Sequence, residues 1–423
     1  MIRKYVKREF ARQVVNVRKG MGESSHKQLV IQPVKRRIKQ SIKQSLNRNI
    51  LISGLLVSGL SFYAPMASSA DLYLTGLYGL DDNPHNLSDA RAPKQEEFAF
   101  ADFKLSANYD RMFYAKAYAK KAHYFNDERA DWFKGELDLA FKSKFKIKKY
   151  RFRYKLSADH MVNDETYVSK VTGLVATFGG QSIADRYDAE TTNYNGELSY
   201  KTKQNTTFKL KLQQRQKAYE EFTIAGLSNL DYDHNRIGFD IDYRPSDSGR
   251  FFLDTEVTQR DFVDRRAKDL QGDDIADSQL EYNYYGVKMG YVYRPDSSVR
   301  WRYSFKYNNR RDNSSGYWNA NASSISISTK YVLADYHILK GRLKYSKFTY
   351  ENQLDQDTTG LDEEIKERHG VTLSFDYEWI LATLYDTKLG LYFGIESGAF
   401  VSSNPDYEYE GTSVSAGIRW RIF

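Results

Sequence analysis

From Asp71 to the end of the chain, apolar and polar side chains alternate with a period of two. Val371, Leu373, Phe375, Tyr377 and Trp379 fall on one face of a segment whose other face carries Thr372, Ser374, Asp376 and Glu378. Trp301, Tyr303, Phe305 and Tyr307 alternate in the same way with Arg302, Ser304, Lys306 and Asn308. A period of two belongs to extended strands, because successive side chains of a strand point to opposite faces of the sheet. No sustained 3.6-residue periodicity and no Pro/Ser-rich linker interrupts the pattern, so residues 71–423 read as one all-β domain.

The rhythm of the connections narrows the all-β choices. Strands are predicted to begin near residues 72, 97, 111, 132, 148, 192, 206, 234, 250, 281, 299, 321, 340, 369, 387 and 411. Every second connection is short, around Asp110, Ser143, Gln204, Ser246, Asp296, Leu339 and Thr383. The others are long and polar, at 82–95, 125–130, 160–190, 217–231, 262–279, 309–319, 351–367 and 400–408. A soluble sandwich does not require that alternation, whereas a transmembrane antiparallel barrel does, with short periplasmic turns and long extracellular loops. The expected fold is therefore an antiparallel β-barrel of about 16 strands (14–18). A mean hydropathy of −0.68 is compatible with it. A spanning strand needs only about ten residues, half of which face the lumen, so average hydropathy does not register it.

Charge and small-residue patterns set residues 1–70 apart. They hold fourteen of the 63 Lys and Arg and two of the 55 Asp and Glu, leaving the rest of the chain at about −4. The basic balance belongs to this leader, and a nucleic-acid role loses its main support. An apolar core from Ile50 to Phe62, followed by Ala67, Ser68, Ser69 and Ala70, has the order of a secretory signal cleaved before Asp71. The chain has no Cys, which excludes a disulfide framework, thiolate metal sites and a Cys nucleophile.

The final residues Gly417, Ile418, Arg419, Trp420, Arg421, Ile422 and Phe423 form a short amphipathic strand. Val414, Ala416, Ile418, Trp420 and Ile422 share one face, Arg419 and Arg421 the other, and Phe423 falls on the parity of the arginines. This ending resembles the β-signal read by the outer-membrane barrel assembly machinery, with Gly417, Trp420 and Ile422 in the pattern and Phe423 as one extra residue. Two turns, YRPSDSGR (Tyr243 to Arg250) and YRPDSSVR (Tyr293 to Arg300), are near copies. With the opening LYLTGLYGLDDN (Leu72 to Asn83) and the Tyr-rich strands, they make residues 71–423 similar to porin-like outer-membrane barrels found with exopolysaccharide and capsule gene clusters in Gram-negative bacteria. The resemblance implies a bacterial outer-membrane location, lipid and the assembly machinery as partners, and passage of small hydrophilic solutes or help in exporting a surface polysaccharide. It supplies no functional residues.

If apolar faces meet lipid, the intervening residues line a lumen. Candidate lining residues are Arg153, Lys155, Lys209, Lys211, Arg215, Asp240, Asp242, Asp254, Glu256, Lys288, Arg302, Lys306, Asp376 and Glu378. Basic and acidic walls facing each other would create a transverse field of the kind that admits polar solutes. A sugar path would also need inward aromatic rings, and the expected set is Phe98, Phe100, Tyr114, Tyr118, Phe252 and Tyr392, most Tyr facing lipid. The 160–190 segment is long enough to enter the lumen as a constriction or to form a lid.

The Lys-rich run Lys142, Lys144, Lys146, Lys148, Lys149 and Arg151 straddles a short turn, placed to meet anionic headgroups or a periplasmic partner. His123, His160, His234 and His369 fall near the outer rim beside acids. No H-E-x-x-H, G-x-S-x-G or phosphate-loop spacing accompanies them, so no catalytic, metal or cofactor residues are assigned. The alternatives to a pore are a closed structural or assembly barrel of a surface-polymer system and an outer-membrane hydrolase.

Overall fold

The computed structural model describes residues 69–88, 95–109, 112–356, 363–384 and 387–422. In chain order the strands are β1 (Ser69–Asp81), β2 (Glu96–Tyr109), β3 (Phe113–Tyr124), β4 (Trp132–Ile147), β5 (Tyr150–Glu165), β6 (Thr177–Phe178), β7 (Gln181–Ser182), β8 (Ala189–Lys201) and β9 (Thr206–Tyr219). They continue with β10 (Tyr232–Tyr243), β11 (Gly249–Phe262), β12 (Glu281–Tyr293), β13 (Val299–Asp312), β14 (Ala320–Leu333), β15 (His337–Gln356), β16 (Glu363–Leu384), β17 (Thr387–Ser402) and β18 (Tyr409–Ile422). All but the two-residue strands β6 and β7 pair antiparallel with their neighbours, and β1 pairs with β18 to close the sheet into a barrel of 16 strands. Residues 1–68 of the leader and Phe423 lie outside the described residues. Ser69 and Ala70 open β1, opposite Asn108 and Ala107.

Burial is inverted relative to a soluble core. Ile237, Leu373, Leu156 and Ile418 are more than half exposed, while Asp240 and Glu378 are 4% exposed. Large apolar side chains are turned outwards around the barrel, for example Leu139, Leu212, Val257, Met289, Phe305, Ile325, Leu343, Leu391 and Trp420. The polar side chains between them reach across intervening strands: Arg419 and Arg421 on β18 meet Glu378 on β16, and Arg302 on β13 lies over the ring of Phe252 on β11. Side chains from strands two apart converge on the concave side of a curved sheet, so the polar face is the inside. An apolar exterior around a polar interior is the arrangement of a barrel that crosses the bacterial outer membrane. With 16 strands the interior is wide enough for an aqueous channel.

The short connections and both described chain ends lie at one rim, the periplasmic one by the usual rule. The Lys-rich turn sits there, with Lys148 in the left-handed region (φ 54°) between β4 and β5. The two YRP turns are joined side by side, the Arg294 N–H donating to the Ser248 carbonyl at 2.7 Å. At the opposite rim the expected 351–367 loop is largely strand. β15 runs to Gln356 and β16 starts at Glu363, with an irregularity in register between Thr349 and Leu354. The polar composition there marks exit from the lipid layer, not the end of strand pairing.

The seam explains the glycine in the terminal strand. Gly417 pairs with Leu77, and a Cβ at 417 would run into the Gly76 carbonyl and lie 2.8 Å from Leu77 Cα. Replacing Gly417 by Val is expected to lower barrel stability by about 1–3 kcal/mol through overpacking at the closure. The measurement is the temperature at which the folded species disappears in a heat-modifiability gel. An unchanged transition would refute the assignment of this close approach.

Candidate functional site

Register places the fourteen candidate lining residues at alternate positions of their strands and brings half of them into two rows. One row runs Lys209, Asp240, Asp254, Lys288 and Lys306, each paired with the next across β9 to β13. A second links Lys155, Glu197 and Lys211 across β5, β8 and β9. Ion pairs join Lys211 to Asp240, Lys209 to Asp242 at 3.6 Å, and Arg236, a residue outside the expected set, to Glu256. Asp242 also accepts from Arg250 Nε at 2.7 Å, and the Arg215 Nε donates to Asn193 at 2.7 Å. Arg153 faces Ser199 on β8. Asp376 accepts from the Tyr392 hydroxyl, and the Tyr392 ring carries the Arg419 guanidinium at 4.2 Å. Glu378 takes both terminal-strand arginines, Arg419 at 3.1 Å and Arg421 at 3.1 Å.

Charge is segregated, but not as two opposed walls. On β9 to β11 the acids Asp240, Asp242, Asp254 and Glu256 offset part of the basic charge. The inner register of β12 to β15 instead holds Lys288, Arg300, Arg302, Lys306, Arg310, Lys330, Lys340, Arg342 and Lys344. Asp312 is the acid in the same register, and it is occupied by backbone N–H groups of Ser314, Gly316 and Trp318. Among the described residues, Lys288, Arg302, Lys306, Arg342 and Lys344 make no ion pair. The result is one uncompensated basic wall beside a mixed remainder.

The aromatic expectation needs correction. The six expected rings do take the inner register, but the extracellular part of the lumen carries many more: Tyr124, Trp132, Tyr219, Tyr232, Phe262, Tyr282, Tyr284, Phe348, Tyr350, Phe400 and Tyr409. Cations are laid on these rings. Arg260 lies over Tyr232 (4.3 Å) and Tyr284 (5.0 Å), Arg310 over Tyr282 (4.9 Å) and Tyr350 (5.3 Å), and Arg368 over Phe400 (4.9 Å) and Tyr409 (5.1 Å). Such stacking holds a guanidinium plane in place, and the Arg310 Nε also donates to the Trp318 carbonyl at 2.7 Å. The signal is present in the sequence: Phe262 and Phe400 keep the inward parity of their strands, but they lie in the expected loops 262–279 and 400–408, into which the strands continue.

The 166–188 connection is folded on itself. Val168, Ala176 and Ile183 are buried, Tyr167 and Tyr187 meet edge to face at 4.6 Å, and β6 pairs with β7. Its Lys170 donates to the carbonyls of His85 and Asn86 (3.0 Å to Asn86) and lies 5.9 Å from the inner-face ring of Tyr409. Arg129 donates to the Gly173 carbonyl at 3.3 Å, and Arg186 to that of Ser228 at 3.3 Å. The connection therefore bends inwards against the arc of the mouth from β18 round to β10. Beneath its anchor, buried His85 and Asp127 are 2.9 Å apart. Burial opposes ionisation of Asp127, but hydrogen bonds from Arg129 and His85 outweigh it and hold the carboxyl below its usual range.

The rim histidines do not converge. His123 meets Asp131 at 2.7 Å, His160 meets Thr192 at 3.1 Å, His369 contacts Glu367, and His234 is buried with neither ring nitrogen hydrogen-bonded. They stand on four different strands. No group of three or more His, Cys, Asp or Glu able to hold a metal occurs among the described residues.

No protein-family model and no curated protein matches the sequence. Solved structures to which the chain is similar include Acinetobacter baumannii OccAB3, at 12% identity over 84% of this chain and 99% of that one, with a TM-score of 0.43. Pseudomonas aeruginosa OprD matches at 10% identity over 84% and 94% of the two chains, with a TM-score of 0.42. A structure described as a bacterial polysaccharide outer membrane secretin matches at 9% identity over 84% and 97%, with a TM-score of 0.40. The architecture described above rests on the chain's own strand register.

Lys170 supplies a pH test of the inward-bent connection. Burial, reinforced by the Arg368 charge, lowers its pKa from 10.5 to about 8. A cationic Lys170 therefore penalises docking fully below pH 8, and the penalty is relieved as pH rises from about 8 towards 10.5. Protease cleavage within 166–188 should slow over that window in the native chain. Lys170→Met should abolish the pH dependence, and an identical profile in the variant would refute the assignment.

Proposed function

We propose that the barrel is a passive outer-membrane pore for small hydrophilic solutes that favours anions over cations. The observation that carries this reading is the basic wall of β12 to β15, on which Arg302, Lys306, Arg342 and Lys344 face the lumen with no acid opposite them, and Lys288, opposite Asp254, makes no ion pair. In a narrow water-filled space bounded by low-dielectric protein, unpaired cations raise the local concentration of anions and repel cations. The ion-paired rows on β9 to β11 add hydrogen-bonding capacity, which suits polar solutes. The inward-bent 166–188 connection narrows one side of the mouth and leaves passage to run along the basic side.

Purified, refolded protein in planar bilayers under a KCl gradient should show channel steps with a reversal potential on the anion side. The variant Lys288→Gln/Arg302→Gln/Lys306→Gln should move that potential towards zero by reducing the Cl⁻ to K⁺ permeability ratio several-fold. A heat-modifiable barrel without channel steps, even after removal of 166–188, would overturn the pore and favour a closed structural barrel.

A further inference from the structure

On the inner wall of β13 to β18, towards the extracellular rim, lies a cavity of about 640 Å³. That size suits one or two sugar rings. Three kinds of group line it. Lys306, Lys344 and Arg368 bring positive charge, Ser324 and Ser346 bring hydroxyls, and Phe348, Tyr350, Phe400 and Tyr409 bring ring surface. The acid among the lining residues, Glu367, has its carboxylate engaged by Lys347, Thr349 at 2.9 Å and His369.

Arg368 is the best-defined of the cations. Its guanidinium is laid over the stacked pair Phe400 and Tyr409, whose ring centroids are 4.6 Å apart, and its Nε is buried with no hydrogen-bond partner. The ring of Phe400 in turn occupies the space that a Cβ at Gly370 would take, so the glycine fixes where the ring and the arginine lie. A guanidinium held over two rings fits a planar carboxylate through its terminal N–H groups by two parallel hydrogen bonds. Hydroxyl side chains match sugar hydroxyls, and aromatic surface matches the apolar face of a pyranose.

We propose that this cavity is a binding subsite for a carboxylated pyranose, a uronic-acid unit, taken from the extracellular mouth. The proposal rests on the pore reading and names a solute class for it. A simple anion would have no use for the rings and hydroxyls, and a neutral sugar none for the cations.

The test uses the full refolded barrel and digalacturonate as the probe, with maltose and sodium acetate as controls. Calorimetry in detergent measures binding, and current block in planar bilayers measures occupancy of the channel. Digalacturonate should bind and block, and both controls should fail at tenfold higher concentration. Arg368→Gln should weaken binding at least tenfold. Arg368→Lys, which keeps the charge but not the planar fork, should recover only part of it. Tyr350→Ala should weaken digalacturonate binding several-fold. Heat-modifiability establishes that each variant is folded, and the Arg368→Lys comparison serves should Arg368→Gln fail to fold.

Equal competition by acetate would reduce the site to a simple anion site, and equal block by maltose would remove the role of the cations. Either overturns the proposal, as does absence of digalacturonate binding in a barrel that still conducts with anion preference. Binding of digalacturonate without channel steps would instead overturn the pore and leave the subsite standing.

Discussion

Every backbone N–H and C=O that crosses the hydrocarbon layer needs a partner, since none is available from lipid. A sheet meets that demand only by closing on itself, and here closure depends on one seam, β1 against β18. Ten residue pairs from Leu72↔Ile422 to Asp81↔Ser413 form it. The seam joins the first and last strands, so pairing along the other strands can be local while this contact spans the whole domain. Its chemistry is correspondingly specific: Gly417 allows close approach to Gly76, and Arg419 and Arg421 reach past β17 to Glu378. The terminal strand is thus tied on both sides, by backbone to β1 and β17 and by side chains to β16.

Closure also determines what the interior can be. Once the apolar face is committed to lipid, all charged residues of the strands share one enclosed space, and their stability there depends on pairing and water. On β9 to β11 pairing does the work, because Lys211, Lys209, Arg236 and Arg250 each find a carboxylate. On β12 to β15 it does not, and the cations are held instead by a wet lumen and by aromatic rings, as where Arg302 rests on Phe252 and Arg310 on Tyr282. A lumen dry enough to be a packed core would make such unpaired charges prohibitively expensive. Their presence is itself an argument for water inside the barrel.

Fold and facing were legible in the sequence because both follow from the period of two, which any reader of Val371 to Trp379 can see. Strand number was legible for the same reason, combined with turns rich in Pro, Asp and Ser. The upper ends of strands were not. Beyond the lipid layer the outer face of a strand no longer needs to be apolar: Arg311 and Glu351 pair on β13 and β15, and Lys347 and Glu367 on β15 and β16. Alternation disappears there although backbone pairing continues, so Phe262 and Phe400 fall in segments expected as loops, 262–279 and 400–408, and Arg368 falls at the edge of another, 351–367. The inner aromatic rim was lost with them.

The same loss explains why the candidate site was only half visible. Charged lining residues in mid-strand could be assigned by parity from their apolar neighbours, but which of them are neutralised depends on cross-strand register, and register is a property of two strands at once. Lys209 and Lys288 look equivalent along the chain. In the barrel both flank the same acidic pair, Asp240 and Asp254, yet Lys209 is drawn to Asp242 and Lys288 makes no ion pair. The mouth adds a further level, since Lys170 meets Tyr409 across 238 intervening positions only because its connection bends inwards. Selectivity in such a barrel is therefore written in pairs of strands and in loop folding, and the alternation that makes the barrel leaves it open.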